Sequence, residues 1–86
     1  MAKLDPQDIG MIFGGVLQRH RARVGLSQEE LAFRADVDRT FVSRLERGIR
    51  QPTITTLMGL ADALGISASS LVQETDAEYK RRKPPK

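Results

Sequence analysis

The stretch SQEELAFRADVDRTFVSRLERG, residues 27–48, decides how the rest of the chain is read. Ser27 stands where a helix N-cap belongs. Glu30, three residues on, completes a capping box, in which each side chain satisfies the other residue's backbone N–H. Leu26 and Leu31 flank this start as a hydrophobic staple. A helix is expected over 28–35, and Asp36 and Val37 turn the chain. Asp38 then caps a second helix over 39–47, stapled by Val37 and Val42, and Gly48 stops it. The stretch therefore reads as two short helices joined by a tight turn.

The second helix has two chemically different faces. At 100° per residue, Arg39, Thr40, Ser43, Arg44 and Arg47 fall within roughly 140° of one another. Val42, Leu45 and Glu46 lie opposite, and Phe41 sits at the boundary. Three arginines and two hydroxyls on one face suit a DNA groove, because Arg bonds guanine bidentately and Ser or Thr bonds bases or phosphates. The plainer alternative is a solvated basic face, the usual fate of a charge run on a helix.

Outward from this centre, 86 residues hold one domain with a small core. Without cysteine there is no disulfide framework and no Cys-based zinc site. No apolar run reaches the length of a membrane span, and the N-terminus lacks a signal peptide's apolar centre, so a soluble, cytoplasmic chain is expected. The net charge of +3 is unevenly placed. Residues 19–50 carry eight arginines against five acids, residues 51–79 carry four acids and no base, and 80–86 add five bases. Such an ordering suits a protein that turns one face to a polyanion.

Residues 1–7 read as a loose arm. A helix over 8–23 buries a stripe of Ile9, Phe13, Leu17 and His20, weakened by Gly14 and Gly15. His20, the only histidine, is either a ligand or general base, or simply packed; with no cysteine and no acid beside it on the helix, packing is the expectation. No phosphate loop, nucleophile elbow or paired-carboxylate signature occurs, so no enzyme, metal or cofactor is expected. After the loop IRQPT, Thr53 caps a helix over 54–64 with a stripe of Ile54, Leu57, Leu60, Ala61 and Leu64. Gly65 ends it, and Ser67 caps a fifth helix stapled by Ile66 and Leu71. Beyond Gln73 the apolar content falls, and 74–86 reads as a charged, disordered tail. Lys80, Arg81, Arg82 and Lys83 there would add non-specific phosphate attraction. The domain proper is thus 8–73. The expected core is Phe13, Leu17, Leu31, Ala32, Val37, Val42, Leu45, Ile54, Leu57, Leu60, Ala61, Leu64 and Leu71.

GLSQEELA, DRTFVSRLERG and QPTITTLMGLADALGIS, in that order, resemble the phage-repressor and Cro (Xre-type) helix-turn-helix family over residues 13–72. RADVDRTFVSRLERG looks most like its restriction–modification controller proteins. The chain departs from the family at Asp36, where Gly is usual; Asp tolerates a left-handed backbone better than most residues.

The resemblance implies an all-α, five-helix DNA-binding domain and a dimeric transcriptional regulator that reads double-stranded DNA in half-sites. A protein-interaction module of the same fold, an antitoxin or coactivator-like adaptor, is the alternative. The family's base-reading positions match Arg39, Thr40, Ser43 and Arg44. Ser27, Gln28, Phe41, Arg47 and Arg50 would contact phosphates, Gln28 at a helix N-terminus that attracts anions. Phe41 alternatively touches a thymine methyl or closes the edge of the core. The family also implies an ion pair between Arg21 and Glu46. Met58, Leu71 and Val72 are the expected homodimer interface, and contact with RNA polymerase is a further expectation.

Overall fold

The computed structural model describes residues 3–82. Among these the chain forms five α-helices and no strand: α1 (Pro6–Val24), α2 (Gln28–Ala35), α3 (Arg39–Glu46), α4 (Ile54–Leu64) and α5 (Ala68–Arg82). The long α1 is central, with α3 against one side and α5 running along another. α2 and α4 pack on each other and complete the layer around a single core.

Four of the five helices end alike. At Gly25, Asp36, Gly48 and Gly65 the backbone turns left-handed. The following N–H reaches back to a carbonyl five residues earlier, as in Leu26 N to Arg21 O (3.1 Å) and Ile66 N to Ala61 O (3.0 Å). This closure satisfies carbonyls the helix leaves unbonded and fixes the exit direction of the chain.

α1 starts two residues earlier than the sequence suggests. Asp5 caps it, its carboxylate accepting from the N–H groups of Gln7 (3.0 Å) and Asp8 (3.4 Å), and Pro6 occupies a position where a missing N–H costs nothing. Residues 6 and 7 are therefore helix, not arm.

α5 departs further from expectation. It continues to Arg82, so the disorder expected from residue 74 does not occur over 74–82; residues 83–86, including Lys83, lie outside the described residues. The reason is a stripe at i, i+4 spacing that composition alone hides. Leu71, Thr75 and Tyr79 are all buried against the rest of the domain. The Thr75 hydroxyl donates to Leu71 O (2.8 Å), and the Tyr79 hydroxyl accepts from Asp5 N (3.0 Å), tying the end of α5 to the start of α1. Ion pairs along the outer face, Lys80–Asp76 (3.2 Å), Arg82–Glu78 (2.7 Å) and Arg81–Glu78, support the last turns.

The core holds most of the expected residues and adds Ile12, Val16, Leu26 and Tyr79. α1 buries a wider face than one stripe because helices cover it on more than one side. Val37 is only half-buried, packed at the core's edge. Ile54 is a correction: it is 71% exposed, because at the first residue of α4 no other element stands opposite the stripe. His20 is buried as expected but is not simply packed. Its Nε2 lies 2.7 Å from Glu74 Oε2, an acid supplied by α5 across 54 residues of sequence.

Gly14 and Gly15 separate cleanly. A Cβ on Gly14 would stand 2.4 Å from Leu45 O and 2.5 Å from Glu46 O, whereas one on Gly15 meets nothing closer than the Arg19 guanidinium at 3.5 Å. Gly14 is thus the crossing point at which α1 lies against the last turn of α3.

Candidate nucleic-acid interface

α2 and α3 are set at their angle by local chemistry. The Ser27 hydroxyl accepts from Glu30 N (3.0 Å) and Ser27 N donates to Glu30 Oε1 (2.8 Å), closing the capping box. Those bonds from Ser27 hold the Glu30 carboxyl below the usual carboxylate range, with a smaller contribution from nearby Arg34. Asp36 carries the turn at φ 57° and ψ 46°, the only described residue other than glycine with positive φ. Asp38 Oδ1 then accepts from Thr40 N (3.1 Å) and starts α3.

The two faces of α3 divide as their chemistry dictates. Val42 and Leu45 have no exposed surface. Arg39, Thr40, Arg44 and Arg47 are exposed, Ser43 is half-buried, and the half-buried Phe41 packs against the core's edge. The one acid of α3, Glu46, points inward with a side chain only 4% exposed. It offsets none of the outer positive charge, so the exposed face carries Arg39, Arg44 and Arg47 undiluted.

Glu46 is the centre of a network that joins three helices. Arg21 Nε meets Glu46 Oε2 at 2.6 Å and Arg21 Nη2 meets Oε1 at 2.9 Å, so α1 and α3 are joined bidentately. Arg21 Nη1 also donates to Leu26 O (2.8 Å), at the entry to α2. Gln28 Nε2 donates to Glu46 Oε1 (2.9 Å). The hydrogen bonds to Glu46 raise the Arg21 pKa above its ordinary value, outweighing the opposing effect of burial, so the guanidinium stays charged. The residues expected to pair do stand in contact. Gln28, expected at a phosphate, turns its amide inward to Glu46.

At the far end, Arg47 caps α3 and Gly48 turns at φ 77°. Ile49 N (2.9 Å) and Arg50 N (3.4 Å) both donate to Arg44 O, folding the loop back beneath the helix. Gln51 Nε2 donates to Pro6 O (2.8 Å), tying this loop to α1. Arg47 and Arg50 are both exposed on this side.

Of the three residues expected at a dimer interface, one is not on the surface. Met58 (58%) and Val72 (51%) are exposed, but Leu71 has no exposed surface and belongs to the core, which removes it from any contact between folded copies. Ile54 joins Met58 on the exposed side of α4 one turn earlier, and Leu4 (63%) and Val72 border an apolar cleft of about 260 Å³ floored by Phe13, Leu57 and Pro52. Sequence reasoning missed Phe33, which is 86% exposed on α2 between Glu29 and Asp36. Its signal was spacing: Glu29, Phe33 and Asp36 lie at i, i+4 and i+7, one helical face away from Leu31 and Ala32. Lys80, Arg81 and Arg82 are partnered by Asp76 and Glu78, so the described part of the tail carries little free charge. Bonds from Arg81, and to a lesser extent Arg82, hold the Glu78 carboxyl below the usual range. No described helix is long and apolar enough to cross a membrane by itself, and no three metal-ligating side chains converge among the described residues.

Residues 17–71 match the family described as Helix-turn-helix. The HTH-type transcriptional regulator y4dJ of Sinorhizobium fredii is 44% identical over 69 residues, covering 80% of this chain and 90% of that protein. Control protein C.BamHI of Bacillus amyloliquefaciens is 33% identical over 79% of this chain and 85% of its own length. The restriction–modification controller protein C.AhdI from Aeromonas hydrophila superposes with a TM-score of 0.70 at 41% identity, over 71% of this chain and 92% of that one.

Proposed function

The chain belongs to the helix-turn-helix family and is a DNA-binding regulator of transcription; from that premise we propose that it binds operator half-sites as a homodimer, with α3 in the major groove of each. The observation that carries this reading is the undiluted outer face of α3. Arg39, Thr40, Ser43 and Arg44 face outward there, while the opposite face is fixed by the core and by Glu46. These four side chains read base edges. Phosphates are held by Arg47, Arg50 and the first turn of α2, with Ser27 and Phe41 at its margins. The likeness to C.BamHI and C.AhdI supports a narrower reading as a restriction–modification controller. A restriction–modification gene pair beside the chain's own gene agrees with it, and a toxin gene there argues instead for an antitoxin. The protein works in the cytoplasm and catalyses no reaction.

The test separates reading from positioning, since base contacts discriminate between sequences and phosphate contacts do not. Arg44→Ala is expected to cost about 1–3 kcal/mol on the selected operator and to relax preference at one or two base pairs. Arg47→Ala is expected to weaken operator and random duplex alike and to lower the salt slope by about one. Affinities on operator, point-changed operators and random DNA at several salt concentrations decide it. An intact preference in Arg44→Ala sinks the assignment.

One domain of this size makes few contacts, which is the argument for two half-sites. The exposed Ile54, Met58 and Val72, with the apolar cleft beside Leu4, supply the surface for a second copy. Replacing Met58 and Val72 with lysine is expected to convert a dimer to a folded monomer in sedimentation, whereas changing Leu71 would unfold the core. A dimer that survives both lysines rules this surface out.

We propose that the exposed stripe of Glu29, Phe33 and Asp36 contacts RNA polymerase when the protein is bound to DNA, with the Phe33 ring as an apolar centre and the two carboxylates as a polar rim. Phe33→Ala is expected to keep DNA affinity and lose the effect on transcription in a reconstituted assay; an unchanged transcriptional effect removes the proposal.

A further inference from the structure

A cleft of about 480 Å³ opens where the loop leaving α3 passes the first turns of α1. Gln7 and Met11 form one wall and Arg47, Gly48 and Ile49 the other, with Gln51 closing the end. The walls touch at the base: a Cβ on Gly48 would stand 2.8 Å from the Met11 side chain. The bond from Gln51 to Pro6 holds them in register.

The lining is amphipathic. Met11 is 60% exposed and Ile49 58%, two large apolar side chains sharing one cleft with the Arg47 side chain. No acid lines it. We propose that this cleft seats the sugar–phosphate backbone of the bound DNA, so that Gln7 and Met11, outside the matched helix-turn-helix residues, belong to the nucleic-acid interface.

Three features of the cleft favour this occupant. A nucleic-acid backbone combines apolar deoxyribose with anionic phosphate, and the cleft lining combines apolar side chains with hydrogen-bond donors. Met11 and Ile49 face the sugar; the Arg47 guanidinium and the Gln7 amide donate to the phosphate, the usual partners of phosphate oxygens. The charge is complementary, a cation without a competing carboxylate. The site is also continuous with the base-reading face, since Arg47 stands one turn beyond Ser43 and Arg44 on the same side of α3. The inference rests on α3 entering the major groove, as proposed above.

Two substitutions test it, Gln7→Glu and Met11→Glu. Both positions are exposed, and an acid in the first turn of a helix favours the helix, so Gln7→Glu keeps its fold even if Met11→Glu does not. Each places a carboxylate against the phosphates and is expected to weaken operator and random DNA by about tenfold through like-charge repulsion, without altering sequence preference. Phosphate-ethylation interference is expected to lose its signal at the phosphates next to those contacted through Arg47. Unchanged affinity in both variants, with Arg44→Ala still impaired, overturns this proposal and leaves the α3 reading standing. Unchanged affinity in all three overturns the α3 reading itself. A change in sedimentation without a change in affinity means the cleft holds protein, not DNA, and also overturns it.

Discussion

Replacing Glu46 with alanine is expected to lower stability by about 3 kcal/mol, the lower end of the cost of breaking a buried ion pair. The lost attraction is not the main cause. Arg21 is left with its side chain only 14% exposed and its charge no longer balanced. The bond from Arg21 Nη1 to Leu26 O survives, which keeps the loss from the upper end of the range. Gln28 Nε2 also loses its acceptor. For a domain of this size the midpoint of thermal unfolding falls by roughly 12–24 °C. Denaturant titration by circular dichroism measures the loss directly. Added salt is expected to change the difference little, because buried pairs are weakly screened. A loss below about 1 kcal/mol would mean the pair behaves as an exposed one and does not hold α3 in place.

Gly14→Val is expected to cost as much or more, about 3 kcal/mol, at the upper end for an overpacked contact. The new Cβ would collide with Leu45 O and Glu46 O at 2.4 and 2.5 Å. Those atoms are backbone, so relief requires α1 to move off the last turn of α3 or that turn to open. The neighbouring change tests whether the effect is local. Gly15→Ala meets no such obstacle and is expected to stabilise by up to about 1 kcal/mol through helix propensity. Urea unfolding of the two variants side by side decides the matter. If both shift stability in the same direction, the close crossing at Gly14 is not what sets the α1–α3 distance. Because α3 carries the outer arginines, any folded fraction of Gly14→Val is also expected to bind operator less tightly than its population explains.

The sequence by itself determined what is local. Capping chemistry at Ser27, Asp38, Thr53 and Ser67 and stop signals at Gly25, Gly48 and Gly65 placed the interior helices almost to the residue. These signals work over three or four positions and need nothing from the rest of the chain. The two faces of α3 followed from helical period alone. The left-handed backbone at Asp36 was legible only through the family resemblance, since the family usually places glycine there. The Arg21–Glu46 pair came from family resemblance, because no periodicity connects residues 25 apart.

The tertiary structure alone decided what depends on a neighbour brought from a distance. Tyr79 and Thr75 look like parts of a polar tail until α1 lies beside them, and burial then keeps α5 helical to Arg82. Ile54 belongs to a sound apolar stripe, but a stripe is buried only where an opposite surface exists, and there is none at the start of α4. Leu71 could serve the core or a second copy on pattern alone; the packing of α5 commits it to the core. His20 acquired Glu74 and Gln28 acquired Glu46 by the same folding of distant segments. Gly14 and Gly15 are identical to a propensity scale, and only the crossing of α1 over α3 distinguishes them.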